Sequence, residues 1–387
     1  MTLTLLAAAS LAAWVFLAFG RGGFWRASER LEAEPDPLAW PEVVAVIPAR
    51  NEAESIAAVV SSHMATDYPG VFSLILVDDA STDGTAGLAR GAAEGAKRRF
   101  EVLTAPPLAQ GWTGKLAALN AGLSCAADTA PSAKYILLTD ADIVHAPGTL
   151  RRLVAKAEAD DLALASLMAR LDSRGFWGKL LIPAFVYFFQ KLYPFPVSND
   201  PQSSLAAGAG GCMLVNREAL AASGGIAAVR DRLIDDCALA AQLKFRGDGA
   251  PRRTFIGLAT DEVVSLRDNR SVSSVWHMVA RTAFAQLNHS WLLLGGTLVG
   301  MAFVYLVPPA TALAFPIHRN ALAGVVALAA WAAMTATFLP TARLYGLSAW
   351  RAALLPLSAF FYSLMTFSSA LRHARGGGGL WKGRTYP

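Results

Sequence analysis

The string YILLTDAD, residues 135–142, runs a short apolar, β-prone stretch into two carboxylates, Asp140 and Asp142. A buried strand ending this way brings two hard oxygen ligands to the edge of a sheet. That arrangement suits a divalent cation bound to a diphosphate. A second string of the same design, LILVDD at 74–79, ends in Asp78 and Asp79. Two apolar strands that both end in acids predict an α/β sheet with a site along its carboxyl ends.

Four further strings carry polar groups at useful places. VVAVIPARNE (43–52) is a strand that ends at Pro48, after which Asn51 and Glu52 open a helix. In VDDASTDGT (77–85), Ser81, Thr82 and Asp83 can cap the next helix, but two adjacent carboxylates exceed what a cap needs. GWTGKLAALNAG (111–122) puts Lys115 near a helix start, where it could meet a phosphate or stand as a solvated surface lysine. It is not a P-loop. GAGGCMLVNREAL (208–220) has glycines that let backbone approach a ligand, or simply turn. In LIDDCALAAQLKF (233–245), Asp235 and Asp236 begin an amphipathic helix, a place that helix electrostatics alone also favours for acids.

The elements that must position these groups alternate. Strand candidates are 43–47, 72–77, 100–103, 135–139 and 162–168. Between them lie helix candidates at 52–64, 83–96 and 114–126. The alternation implies βαβ units and a mostly parallel sheet. One insertion, GFWGKLLIPAFVYFFQKLYPFP at 175–196, breaks the pattern. Its aromatics and its lysines, Lys179 and Lys191, suit a segment in the bilayer interface, the alternative being a core helix. Residues 271–287 form a further amphipathic helix candidate.

Composition points to a membrane. Hydrophobic residues make up 54% of the 387 and charged residues 16%, against about 25% charged in a soluble domain. The excess gathers in four segments, 3–19, 292–315, 321–339 and 352–371, the last three long enough to span. No basic residue precedes the first segment, and Arg21, Arg26 and Arg30 follow it. That order favours an uncleaved anchor, N-terminus outside, over a signal peptide. Residues 376–379 are a glycine joint before the tail, and the tail from Arg372 holds four basic residues and no acid, which suits an anionic membrane surface rather than nucleic acid. With three spans after the domain this tail would end outside, against the positive-inside rule. A re-entrant segment, such as the one holding Pro308 and Pro309, would resolve the conflict. Three scattered cysteines argue against a disulfide framework or a zinc site.

In their order, VIPARNE, VDDASTDGT, GKLAALNAG, TDAD, GAGGCML and IDDC resemble family 2 glycosyltransferases of the GT-A fold. The resemblance covers residues 43 to about 245 closely and extends to a closing W-K-G-R-x-Y at 381–386. With the aromatic insertion and the RTAFAQLNHSW stretch, the chain is most similar to the hopanoid-biosynthesis-associated membrane subgroup. The resemblance implies an α/β GT-A catalytic domain, Rossmann-like with a mostly parallel sheet, held by an N-terminal anchor helix and C-terminal transmembrane helices. It implies that Pro48, Ala49, Arg50, Asn51 and Glu52 form the first nucleotide-binding segment. It places Asp79 at the uracil base, Lys115 near the nucleotide, Asp140 and Asp142 at the metal and diphosphate, and Asp236 as the catalytic base. Asp235 stands where a Glu is usual. Processive polymer synthases carry Q-x-x-R-W after the base. Here the nearest stretch is Gln286 to Trp291, which does not fit, so single-sugar transfer is favoured.

The implied enzyme is an inverting hexosyltransferase that uses Mg²⁺ or Mn²⁺ and a UDP-sugar. Its implied acceptor is a membrane lipid, a hopanoid or alternatively a polyprenyl phosphate, and its implied place is the bacterial inner membrane, multi-pass, with a cytoplasmic catalytic domain. A non-catalytic membrane scaffold of the same fold is the distant alternative. The expected divisions are an anchor at 1–20, a linker at 21–40, the GT-A domain at 41–270 with its interfacial insertion at 175–196, an amphipathic helix at 271–290, transmembrane helices at 291–371 and a basic tail at 372–387.

Overall fold

The computed structural model describes residues 1–245, 251–377, 379–381 and 384–386. Gly378 of the glycine joint and Lys382 of the basic tail lie outside the described residues. Among the described residues nine strands build the domain that follows the first apolar helix: β1 (Val43–Ala49), β2 (Phe72–Asp78), β3 (Arg99–Thr104), β4 (Tyr135–Leu138), β5 (Ile143–His145), β6 (Leu164–Met168), β7 (Met213–Asn216), β8 (Thr254–Leu258) and β9 (Val263–Ser265). Seven of them form one sheet in the order β3-β2-β1-β4-β7-β6-β8. Its neighbours are parallel except β7, which runs against both β4 and β6. The α/β architecture and mostly parallel sheet are as the sequence predicts. β5 and β9 add a small antiparallel ladder beside it.

The strands read as continuous apolar runs because both faces of the sheet are covered. Alternate residues of each strand serve opposite faces. Val43, Ala45, Ile47, Leu74, Leu76 and Leu137 pack into one core, while Val44, Val46, Ile75, Val77, Ile136 and Leu138 pack into the other. Helix Gly114–Thr129 covers that second face. It approaches closely because position 122 has no side chain: a Cβ on Gly122 would lie 2.3 Å from Val46 Cγ1.

Among the described residues four helices are long and apolar enough to cross a membrane: Thr2–Phe19, Trp291–Leu313, Ala321–Leu344 and Ala349–Ala374. The second of these segments is broken by a π-helical turn at Ala302–Leu306, just ahead of Pro308 and Pro309, which cannot donate to the ladder. The aromatic insertion is a helix, Gly175–Leu192, that accommodates Pro183. It is wedged between the sheet and the apolar helices. Tyr187 Oη pairs with Thr337 Oγ1 at 2.9 Å, and Phe188 meets Tyr305 and Tyr362 edge-on. This third core also takes in Trp14, Met168 and Leu258, so the sheet and the apolar helices share one packed interface. Residues 379–381 and 384–386 pair as a short antiparallel hairpin.

Candidate active site

The site lies where the carboxyl ends of β1, β2 and β4 meet. Asp140 and Asp142 follow β4 directly, as the turn into β5. Asp140 Oδ1 accepts from Lys115 Nζ at 2.9 Å. Asp142 Oδ2 lies 3.6 Å from Arg267 Nε and accepts from Ser265 Oγ at 3.4 Å. Each acid therefore has its own cation. Burial, with the Asp140 charge beside it, still pushes the Asp142 carboxyl above the ordinary aspartate range, against the pull of Arg267.

Lys115 also reaches Asp235 Oδ2, at 3.2 Å. Burial works against its charge, but Asp140, Asp235 and Asp236 outweigh that cost and hold its pKa above the usual lysine value. Asp235 and Asp236 open helix Asp235–Phe245. Asp236 accepts from its own helix, Cys237 N at 2.8 Å, and from Gly210 N at 3.1 Å. Burial and then the neighbouring Asp235 raise its pKa to about 6, opposed by Lys115 and these two amides. In the glycine loop, Gly210 packs on these side chains and also lines the larger cavity described below. A Cβ on Gly210 would stand 3.0 Å from Lys115 Nζ.

The other sequence-predicted residues divide. Pro48 and Glu52 line a polar cavity of about 120 Å³ with Lys115, Asp140 and Asp142. Ala49, Arg50, Asn51 and Asp79 do not line that cavity. Arg50 Nη1 donates to Asp79 O at 2.6 Å and lies 3.7 Å from its carboxylate. Asn51 and Ala53 donate their amides to Ser81 Oγ and Asp83 Oδ2, and Glu52 N donates to Thr85 Oγ1. The loop after β2 thus satisfies the amides after β1, besides its own, rather than only capping the helix that follows it. Three cations in the polar cavity escaped the sequence reading: Arg232, Arg267 and Arg281. Arg281 belongs to RTAFAQLNHSW, so its one sequence signal was that stretch.

A second, larger cavity of about 400 Å³ meets the first at Lys115, Asp140, Asp235 and Arg281 and also takes in Asp236. Its walls are apolar: Phe185, Phe189, Met278 and Leu287, with Thr297 and Met301 from helix Trp291–Met301 and Tyr362, Ser363 and Thr366 from the last apolar helix. Gln286 and Tyr193, which line it, hydrogen-bond each other at 3.1 Å. Lys191 stands in its wall, donating to Tyr305 Oη at 2.9 Å. Burial and the nearby Arg21 lower the Lys191 pKa to about 8. Lys191 forms no ion pair with an acid among the described residues.

No group of three or more His, Cys, Asp or Glu side chains that could hold a metal occurs among the described residues. A cation held by protein alone does not fit. A cation held by Asp140 and Asp142 and completed by phosphate oxygens and water does, because such a site asks the protein for only one or two carboxylates.

Comparison with known proteins bears on the domain and its fold. Residues 44–224, most of the sheet domain, match the model of glycosyl transferase family 2. No curated protein matches the chain. A mannosyltransferase from Pyrobaculum calidifontis, solved with GDP-Man and Mn²⁺, is 21% identical and superimposes with a TM-score of 0.53 over 95% of this chain and 99% of its own. The two chains therefore share the GT-A fold. Glucosyl-3-phosphoglycerate synthase from Mycobacterium tuberculosis, solved with Mn²⁺, UDP-Glc and glycerol 3-phosphate, is 20% identical over 68% of this chain and 83% of its own, with a TM-score of 0.38.

Proposed function

We propose that this chain, a glycosyltransferase by its family 2 domain, moves one sugar from a UDP-sugar to the hydroxyl of a membrane lipid, in hopanoid biosynthesis. The observation that carries this reading is the meeting of two unlike cavities at one cluster of acids. The polar cavity, with Arg232, Arg267 and Arg281 around Asp140 and Asp142, suits a nucleotide diphosphate. The apolar one runs from Asp236 to two apolar helices and suits a lipid.

Placement supports a role for each residue. Asp140 and Asp142 would hold Mg²⁺ or Mn²⁺, which supplies charge neutralisation to the departing diphosphate. The mannosyltransferase of like fold was solved with a nucleotide sugar and Mn²⁺. Pro48 and Glu52 line the donor side, with Ala49, Arg50, Asn51 and Asp79 shaping the nucleotide segment behind it. Lys115 neutralises the acids on both sides. Asp236, facing the apolar cavity, takes the proton of the attacking hydroxyl. One direct displacement inverts the anomeric carbon and needs no covalent intermediate. Nucleotide sugars are cytoplasmic, so the domain would face the cytoplasm from a bacterial inner membrane.

One observation favours a second acceptor. Lys191, in the wall of the apolar cavity, is an ammonium with no acidic partner among the described residues, which suits a polyprenyl phosphate. Purified protein, given a panel of UDP-sugars and GDP-Man with Mg²⁺ or Mn²⁺, separates the readings. The reading expects nucleoside diphosphate release that requires both the cation and an added lipid, greater with a hydroxylated hopanoid than with polyprenyl phosphate. Release independent of any lipid would overturn it.

A further inference from the structure

We infer that the last apolar helix does not cross the bilayer, so the chain crosses three times and its C-terminal tail lies on the face that carries the sheet domain. Length and hydropathy allow four crossings. The contacts between helix ends allow three.

Helices Thr2–Phe19 and Ala321–Leu344 lie side by side and point the same way. At one end Asn320 Nδ2 donates to Thr4 Oγ1 at 3.1 Å. At the other, Phe24–Arg26, just past the first helix, packs on the second. There Tyr345 meets the backbone of Leu171, in the loop that leaves β6. Helix Ala321–Leu344 therefore ends on the sheet-domain side.

The chain does not leave that side again. Residues Ala349–Leu354 pack back along the helix they follow, with Trp331 Nε1 donating to Ala353 O at 3.1 Å. Trp350 and Arg351 stack there, ring to guanidinium at 4.9 Å, a pair suited to the headgroup layer. Helix Leu355–Ala374 then stays tied to domain-side elements along its length. Ser358 and Tyr362 donate to Leu180 O and Leu181 O on the aromatic helix. Trp276 Nε1 donates to Ser368 Oγ at 3.1 Å and Phe284 N to Ser369 Oγ at 3.0 Å. His373 stacks on His289 at 4.2 Å. Trp276, Phe284 and His289 all precede Trp291, where the chain first leaves the domain for the membrane. Segment 345–374 thus begins and ends on one face.

This arrangement also settles the charge conflict, since Arg343, Arg372 and Arg375 then share the face of the sheet domain. It gives the helix a use. Tyr362, Ser363 and Thr366 face the large cavity, so the folded-back helix is its membrane-side wall opposite helix Trp291–Met301. That consequence, unlike the topology, rests on the lipid-acceptor reading.

Single cysteines at three exposed positions test it in the full-length chain, in a Cys125→Ser background, since Cys212 and Cys237 are buried. Sealed membranes are treated with a maleimide that cannot cross them. Ser348→Cys and Arg375→Cys should react from one side and Ile317→Cys from the other. Reaction of Arg375→Cys together with Ile317→Cys would overturn the inference. Protease protection of a tag after Pro387 answers the same question without cysteines: cleavage from the Ser348 side supports it and cleavage from the Ile317 side refutes it.

Discussion

Lys115 Nζ sits 2.9 Å from Asp140 Oδ1 and so ties the strand edge that would hold the cation to the helix that carries Asp236. Lys115 lowers the Asp236 pKa that burial and Asp235 raise. In Lys115→Met the acid limb of the pH–rate profile should therefore move upward from about 6, by about 1 unit for the loss of one close opposite charge. Lys115→Arg should keep the limb in place. An unmoved limb in Lys115→Met would show that the lysine does not act on the base.

The wild-type profile has its own sign. Asp236 works as a carboxylate, and its pKa is raised to about 6. Activity should be full well above that pH and fall about tenfold per unit below it. Initial rates with saturating metal between pH 4.5 and 8, on a protein shown to stay folded, check this.

Ser363 and Thr366 sit in the wall of the large cavity, far along the chain from any donor residue. Ser363→Trp should fill acceptor space and lower kcat/KM for the lipid by about tenfold or more, a cost of the size of overpacking. Binding of the nucleotide sugar with its cation should not change. Calorimetry with the donor and a transfer assay with the lipid read the two effects apart.

His63 and His145 lie against each other in the core, rings tilted by 44° with centroids 4.6 Å apart, and His63 Nε2 and His145 Nδ1 have no hydrogen-bond partner. Burial lowers the His63 pKa to about 4 and, with His63 beside it, holds His145 well below its usual 6.5. The unfolded chain then binds more protons than the folded one between those values. Stability is fully present above pH 6.5 and declines as pH falls toward 4, by at most about 1.4 kcal/mol per unit for each histidine. His63→Leu should flatten the slope of urea midpoint against pH over that range.

The sheet was legible because its strands are local apolar runs covered on both faces. β1, β2 and β4 show this in Val43–Ala49, Phe72–Asp78 and Tyr135–Leu138. β5 and β9 were not, since three residues each carry no periodicity, and they form by pairing with each other across the fold. Nor was the antiparallel run of β7, whose direction is set by its partners β4 and β6. Among site residues, Asp140 and Asp142 stood out as acids at the end of an apolar run and Asp236 as an acid at a helix start. Arg267 and Arg281 did not, because they reach the acids only after the chain has returned from β9. The fold-back of the last helix was invisible in its length and hydropathy, which are those of a crossing helix.

Asp236→Asn in the lipid-dependent transfer assay tests the proposed chemistry most directly. The side chain keeps its shape at the start of helix Asp235–Phe245, beside the amides of Gly210 and Cys237. Transfer should fall by about 10²–10⁴-fold, the usual share of a general base, while metal-dependent donor binding stays intact. Full turnover by Asp236→Asn would contradict the assignment of the base.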